Sequence, residues 1–219
     1  MMLRFAFVSL LLAGTATAQA QGNLVERFQQ GVNYDLIDNP QPTSAPTGKV
    51  EVMEVFSYAC PACAMFQPAV NKWRQSMPAD ATFVALAAAW NPTWELYSRA
   101  YYASDALGIK SKTHDAFFRA LHVERLPLVT AQEIADWYAK TAGIKSADFL
   151  ATMNSTGVNA KVFRAKQQVP RMGVSGTPTM VVGGRYRVNN QNASSQDEIF
   201  EVVNFLVARE VASRGAPGQ

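Results

Sequence analysis

Cysteine and histidine are nearly absent from this chain, which has two of each in 219 residues. A scaffold stapled by disulfides needs several cysteines spread along its sequence, so this one must draw its stability from a hydrophobic core. With 48% hydrophobic and 17% charged residues the chain can build such a core, and that balance excludes disordered and fibrous classes. Strong charge of either sign is also missing: the formal net charge of +3 selects neither nucleic acid nor an anionic surface as partner. Long hydrophobic runs are missing too. The apolar run from Phe5 to Ala13 is far shorter than the ~20 residues a membrane span requires. It follows Arg4 and leads into small residues, Gly14 to Ala20, that offer two A-x-A cleavage options. This pattern predicts a secretory signal over residues 1–20, whose removal takes Arg4 and no acidic residue and lowers the net charge to +2.

The two cysteines stand together in Cys60-Pro61-Ala62-Cys63. A bridge across so short a loop barely constrains the unfolded chain, which makes reactivity a better reason for the pair than stability. Val50 to Phe56 is β-branched and aromatic and reads as a buried strand running into Ser57-Tyr58-Ala59-Cys60. From Pro61 the pattern turns helical. Met65, Phe66, Ala69, Val70 and Trp73 form an apolar face, Met77-Pro78 ends the helix, and Pro68 is expected to kink it. Cys60 therefore falls at a helix start, where free N–H groups and the dipole favour a thiolate nucleophile. Cys63 lies one turn further in, placed to resolve a mixed disulfide on Cys60. Zinc is the rival reading of the pair. It needs further ligands, and the chain offers only His114 and His122, whose spacing suits no compact ligand pair, so both read as helix-surface or packing residues.

The remaining chain alternates clear signals with weak ones. Residues 21–49 carry Asn39-Pro40-Gln41-Pro42 and Pro46-Thr47-Gly48 and read as an extended lead-in. Thr82 to Ala89 is a second strand candidate. Residues 94–172 are predicted to be helical throughout, with a Thr130/Glu133 capping box and Gly143 as a stop. Thr179 to Val182 and Tyr186 to Val188, around Gly183-Gly184, predict a hairpin with a two-residue turn. Ser195 and Glu198 form a second capping box ahead of Ile199, Val202, Val203 and Leu206, the face of a helix expected to cover the sheet. No Pro/Gly/Ser-rich linker separates these parts, so packed subdomains are expected.

The run F-S-Y-A-C-P-A-C-A-M-F, with Glu54 before it and G-V-S-G-T-P-T-M-V-V-G-G far downstream, resembles the DsbA family of periplasmic disulfide oxidases over nearly the whole mature chain. The resemblance implies an α/β, thioredoxin-like fold: a central mixed β-sheet flanked by helices, with an inserted all-helical domain. Its parts would be the signal (1–20), the first thioredoxin-like segment (21–93), the helical insertion (94–172) and the second thioredoxin-like segment (173–219). It implies a catalytic Cys60 of low pKa with Cys63, a strongly oxidising couple, and Glu54 as a buried carboxyl that helps move protons. Pro61, Ala62, Thr177 and Pro178 would contact substrate, with Pro178 in the cis form. It also implies a periplasmic monomer that oxidises newly exported cysteine-containing polypeptides, needs no dissociable cofactor or metal, and is reoxidised by a DsbB-like, quinone-linked membrane partner.

Two departures stand out. Ala62 occupies a position where many disulfide oxidases place histidine, removing one contributor to the thiolate, and Val84 to Trp90 lacks the lysine that family members often pair with the buried glutamate. Thr177 before the proline also resembles disulfide isomerases, but the residues before Val50 are too few for their dimerisation domain, which ranks oxidase above isomerase or reductase. A reading of another class is a non-enzymatic peptide-binding chaperone using apolar surface around Tyr58, Met65 and Phe66.

Overall fold

The computed structural model describes residues 27–215; the expected signal over 1–20 lies outside them. A five-stranded mixed sheet runs in the order β1-β5-β4-β2-β3, from β1 (Asp35–Leu36), β2 (Val50–Phe56), β3 (Ala81–Ala87), β4 (Thr179–Val182) and β5 (Tyr186–Asn189). β2 and β3 are parallel and the other neighbours antiparallel. α1 (Pro61–Ser76) connects β2 to β3, as a parallel pair requires a crossover. Five helices then intervene before β4: α2 (Pro92–Ala106), α3 (Lys110–His122), α4 (Ala131–Ala142), α5 (Ser146–Met153) and α6 (Thr156–Arg171). The final helix, α7 (Gln196–Gly215), packs on the sheet.

Every residue of β2 is buried, the condition of a central strand covered on both faces. Its two sides feed different cores. Val50 and Val52 meet Phe66, Val70 and Trp73 of α1 and Ile199, Val203 and Leu206 of α7, while Met53 and Val55 meet Ala165 and Val169 of α6. Each such large side chain contributes about 1.5–3 kcal/mol when fully buried. β2 also carries two buried carboxylates. Glu51 is satisfied by the Ser44 backbone N–H at 2.7 Å and hydroxyl at 2.6 Å, whereas Glu54 Oε1 has no protein partner.

Several expectations shift in detail. The helical region starts earlier than Trp94: Asn91 caps α2, accepting from the Trp94 N–H at 3.0 Å, with Pro92 in the first turn. It is also broken into five helices, with a turn-rich segment containing Arg125 at φ 54° before α4. The Thr130/Glu133 capping box forms, and Gly143 ends α4 in the left-handed region. α1 continues past Pro68 to Ser76. The hairpin loop is one residue longer than the paired glycines predict, because Val182 pairs with Tyr186 and leaves Gly183, Gly184 and Arg185 in the turn. Gly184 has a second duty: a Cβ there would lie 2.1 Å from the Gln41 carbonyl oxygen of the lead-in. Ser195 caps α7 by accepting from the Glu198 N–H at 3.1 Å, but the Glu198 carboxylate returns to the Ser194 N–H and not to Ser195. The lead-in is not merely extended, since β1 adds an edge strand to β5.

Candidate active site

β2 ends at Phe56, whose carbonyl still accepts from Ala88 on the β3 side at 2.8 Å, and the chain then turns sharply. The Cys60 N–H donates to the Ser57 carbonyl at 3.1 Å and the Ala59 N–H to the Ser57 hydroxyl at 3.1 Å. This closes the turn that delivers Cys60 to the N-cap of α1, with Pro61 as the first helical residue. The Tyr58 ring anchors the turn among Phe117, Phe118 and His114, with centroid separations of 4.7, 4.8 and 5.3 Å. Through these contacts Phe56, Tyr58, Cys60 and Cys63 share one core with residues of α2 to α6. The helical segment and the sheet meet at the cysteines.

Both thiols are free, and their environments are opposite. Cys60 Sγ accepts from the Cys63 N–H at 3.4 Å, is 8% exposed, and has its pKa lowered to about 5. The largest cause is the Cys63 thiol, which donates to it; the Thr177 hydroxyl and the N–H groups of Cys63 and Ala62 add to this against the cost of burial. Cys63 is fully buried, and burial, followed by its donation to Cys60, pushes its pKa far above the ordinary thiol value. One sulfur is a stable thiolate at neutral pH, and the other keeps its proton. With alanine at position 62, the Cys63 thiol, the Thr177 hydroxyl and the N–H groups of Cys63 and Ala62 are the donors that lower the Cys60 pKa.

The Thr177–Pro178 bond is cis, and the Thr177 carbonyl lies 3.4 Å from Cys60 Sγ, where the neutral thiol donates to it. The Thr177 hydroxyl is buried without another protein partner; it is the group free to turn toward the sulfur once the thiolate forms. Beside this loop lies a cleft of ≈ 220 Å³ lined by Ser175, Thr177, Asn189 and Gln191. Of the four residues expected to touch substrate, Pro61 is exposed, Ala62 and Thr177 are half-buried, and Pro178 is buried. Pro178, though buried, lines the cleft beside Thr177.

Glu54 sits in register with Ala85 of β3 and Met180 of β4 and is 1% exposed. Burial raises its pKa to about 8; the positive charge of Arg74 opposes this, and the Cys60 charge reinforces it. Glu54 is therefore not a solvent-facing strand carboxylate. Arg74 of α1, which the sequence did not single out, lowers the Glu54 pKa only through its charge: it forms no ion pair with Glu54 and its guanidinium lies over the Phe83 ring at 4.8 Å. Cys63, Gln67, Val70 and Arg74 fall at helical spacing along α1, a signal that could have revealed it. Tyr58 and Phe66 are each 1% exposed and only Met65, at 67%, faces solvent, so the apolar surface suggested for a chaperone is mostly core.

This asymmetry sets an expected alkylation order. With limiting iodoacetamide at pH 7, the reduced protein is expected to be modified at Cys60 before Cys63 by at least about tenfold. Peptide mass spectrometry checks this; equal or reversed labelling would exchange the roles of the two sulfurs.

The DSBA-like thioredoxin domain family matches residues 87–201. The thiol:disulfide interchange protein DsbA of Pseudomonas aeruginosa is 34% identical over 186 residues, covering 85% of this chain and 87% of that relative. DsbA of Burkholderia cepacia is 33% identical, with 90% and 92% covered. The crystal structure of Pseudomonas aeruginosa DsbA superposes with a TM-score of 0.81 at 33% identity, covering 86% of this chain and 97% of that one. With the cysteine pair at the head of α1, facing a cis-proline loop, the chain is a thiol–disulfide oxidoreductase that belongs to the DsbA family.

Proposed function

We propose that this protein introduces disulfide bonds into exported, cysteine-containing polypeptides by passing on a disulfide held between Cys60 and Cys63. The observation that carries this reading is the placement of Cys60 at the N-cap of α1, its sulfur 3.4 Å from both the Cys63 N–H and the Thr177 carbonyl, beside a fully buried Cys63. A substrate thiolate attacks Cys60 Sγ of the protein disulfide, forming a mixed disulfide and expelling the Cys63 sulfur. That sulfur strongly favours the neutral thiol and must take up a proton. Glu54, with a pKa of about 8, holds one at neutral pH and serves as the proton source. A second substrate thiolate then attacks the substrate sulfur of the mixed disulfide, and Cys60 leaves as a stable thiolate. The substrate gains its disulfide, and the protein is left as a dithiol.

Extended substrate lies along the Thr177 edge beside Pro61 and Ala62. Reoxidation falls to a DsbB-like, quinone-linked membrane oxidase, and the redox-active group is the cysteine pair itself, with no dissociable cofactor or metal. The working compartment is the periplasm, reached through a signal over residues 1–20, and the working form is a monomer. Among the described residues no helix is long and apolar enough to cross a membrane. The test is to mix the oxidised protein with a reduced, unfolded polypeptide bearing two cysteines. One disulfide is expected to pass per protein molecule; persistence of the Cys60–Cys63 bond against excess reduced polypeptide would place the protein among the isomerases or reductases.

Ala62 tunes the couple. Its side chain is half-buried and its N–H already supports the Cys60 thiolate. Histidine there adds a donor beside the sulfur, and each unit by which the Cys60 pKa falls corresponds to roughly 30 mV for a two-electron couple. Ala62→His is therefore expected to raise the reduction potential by about 30 mV in a glutathione titration at pH 7. An unchanged or lower potential would assign the redox poise to the Thr177 loop alone.

A further inference from the structure

Both histidines of the chain bind the same residue, Tyr58. His114 Nδ1 lies 2.7 Å from the Tyr58 hydroxyl, and His122 Nε2 lies 2.7 Å from the Tyr58 carbonyl oxygen. Tyr58 is two residues before Cys60 and 1% exposed. Its carbonyl follows the last β2 residue, Phe56, beyond which β3 supplies no further partner. A carbonyl oxygen can only accept, so His122 carries its proton on Nε2. His122 thereby satisfies a main-chain acceptor that would otherwise be left without a partner.

We propose that His122 is a positioning residue for Cys60: its Nε2–H holds the Tyr58 carbonyl and so fixes the turn that aims the Cys60 sulfur at the N-terminus of α1. The inference deepens the oxidoreductase reading and rests on it for the identity of the attacking sulfur. The hydrogen bonds that define the turn form a short chain. His122 holds Tyr58, the Cys60 N–H is bound to Ser57 at 3.1 Å, and Cys60 Sγ receives the Cys63 N–H at 3.4 Å. The last contact depends on the donor angle, so it weakens as the turn rotates. His114 holds the same residue by its hydroxyl, inside the aromatic nest of Phe117 and Phe118, so the ring stays seated when the carbonyl is released. A His122 variant loses the main-chain latch and the ring's contact with Phe118, 6.3 Å between centroids, and a restored donor separates the two. Both histidines lie on α3, which makes that helix the means by which the helical segment sets the geometry of a thiol on the thioredoxin-like part.

The test compares His122→Ala with His122→Gln, whose side-chain amide restores a donor. The readout is the pH midpoint of Cys60 alkylation in the reduced protein. The alanine variant is expected to move the midpoint upward by at least about 0.5 unit, with an approximately threefold shift in the glutathione equilibrium, and the glutamine variant to return both toward the parent. A folded alanine variant with the parent midpoint overturns the proposal, and so does a glutamine variant that behaves like alanine. Nitrogen-15 NMR of the unsubstituted protein gives an answer independent of any variant: a proton on Nδ1 with Nε2 bare rules out the latch. Thiol titration reads the latch even if the protein transfers no disulfide, so failure of the oxidoreductase reading and failure of this one are separable.

Discussion

Cys60→Ser is expected to lower disulfide transfer at pH 7 by at least about 10³-fold, while Cys63→Ser is expected to react once and stop as a mixed disulfide. The difference follows from the opposed environments of two sulfurs three positions apart. Cys60 is an ionised sulfur fed by donors at a helix start, with a pKa of about 5. Cys63 is fully buried, and burial alone is the largest force keeping it protonated. Removing Cys60 leaves a thiol that is neither ionised nor reachable. Removing Cys63 leaves a competent nucleophile with nothing to expel its partner, so a disulfide-bearing peptide accumulates on Cys60. Intact-mass analysis of each variant after exposure to glutathione disulfide checks both arms. Residual transfer above a few per cent in Cys60→Ser, or absence of an adduct in Cys63→Ser, would contradict the assignment.

What the sequence disclosed and what it withheld follow from the range of the interactions. The strand–cysteine–helix unit was legible because every determinant is local: a β-branched run, a proline in the first helical turn and an apolar stripe along α1. The capping box at Thr130 and the left-handed stop at Gly143 are local as well. β1 was not legible. It is two residues long, in a turn-rich lead-in, and exists because β5 pairs with it across 150 residues of chain. The Gly184 packing duty was hidden for the same reason, since only the fold brings Gln41 against it. At the site, Glu54 and the cysteines were found by motif, but the partners that tune them were not. His122 meets Tyr58 across 64 residues, and no local pattern on α3 separates such a histidine from a packing residue. The Thr177 loop was found only through its wider motif context, because an isolated Thr-Pro carries no sign of its isomer.

Glu54→Gln is expected to stabilise the reduced protein by about 3 kcal/mol at pH 7 while slowing disulfide exchange. The carboxyl is 1% exposed, one of its oxygens has no partner, and its pKa in the fold is about 8 against 4.5 for an ordinary glutamate. A raised carboxyl pKa means that the folded state retains a proton the unfolded state releases. Below pH 4.5 both states are protonated and the residue is neutral in its effect. Between pH 4.5 and 8 the native state loses about 1.4 kcal/mol per unit, and above 8 the loss levels off. Cys60 runs the other way. Its lowered pKa stabilises the reduced fold most fully above the unfolded thiol value, and that stability is lost as the pH falls through about 5. The two slopes oppose each other in the parent protein, so a single pH–stability curve hides both. Subtracting the Glu54→Gln curve from the parent curve removes the Cys60 contribution to first order and leaves the glutamate alone. Urea unfolding at pH 4.5, 6, 7 and 8 is therefore expected to give a difference near zero at the lowest pH that grows steadily to the highest. The oxidised protein, which lacks the Cys60 charge that raises the Glu54 pKa, is expected to show the same trend with a smaller amplitude. A difference that stays flat across this range would mean that Glu54 ionises in the fold as freely as out of it, and the proton that Cys63 takes up would have to come from elsewhere.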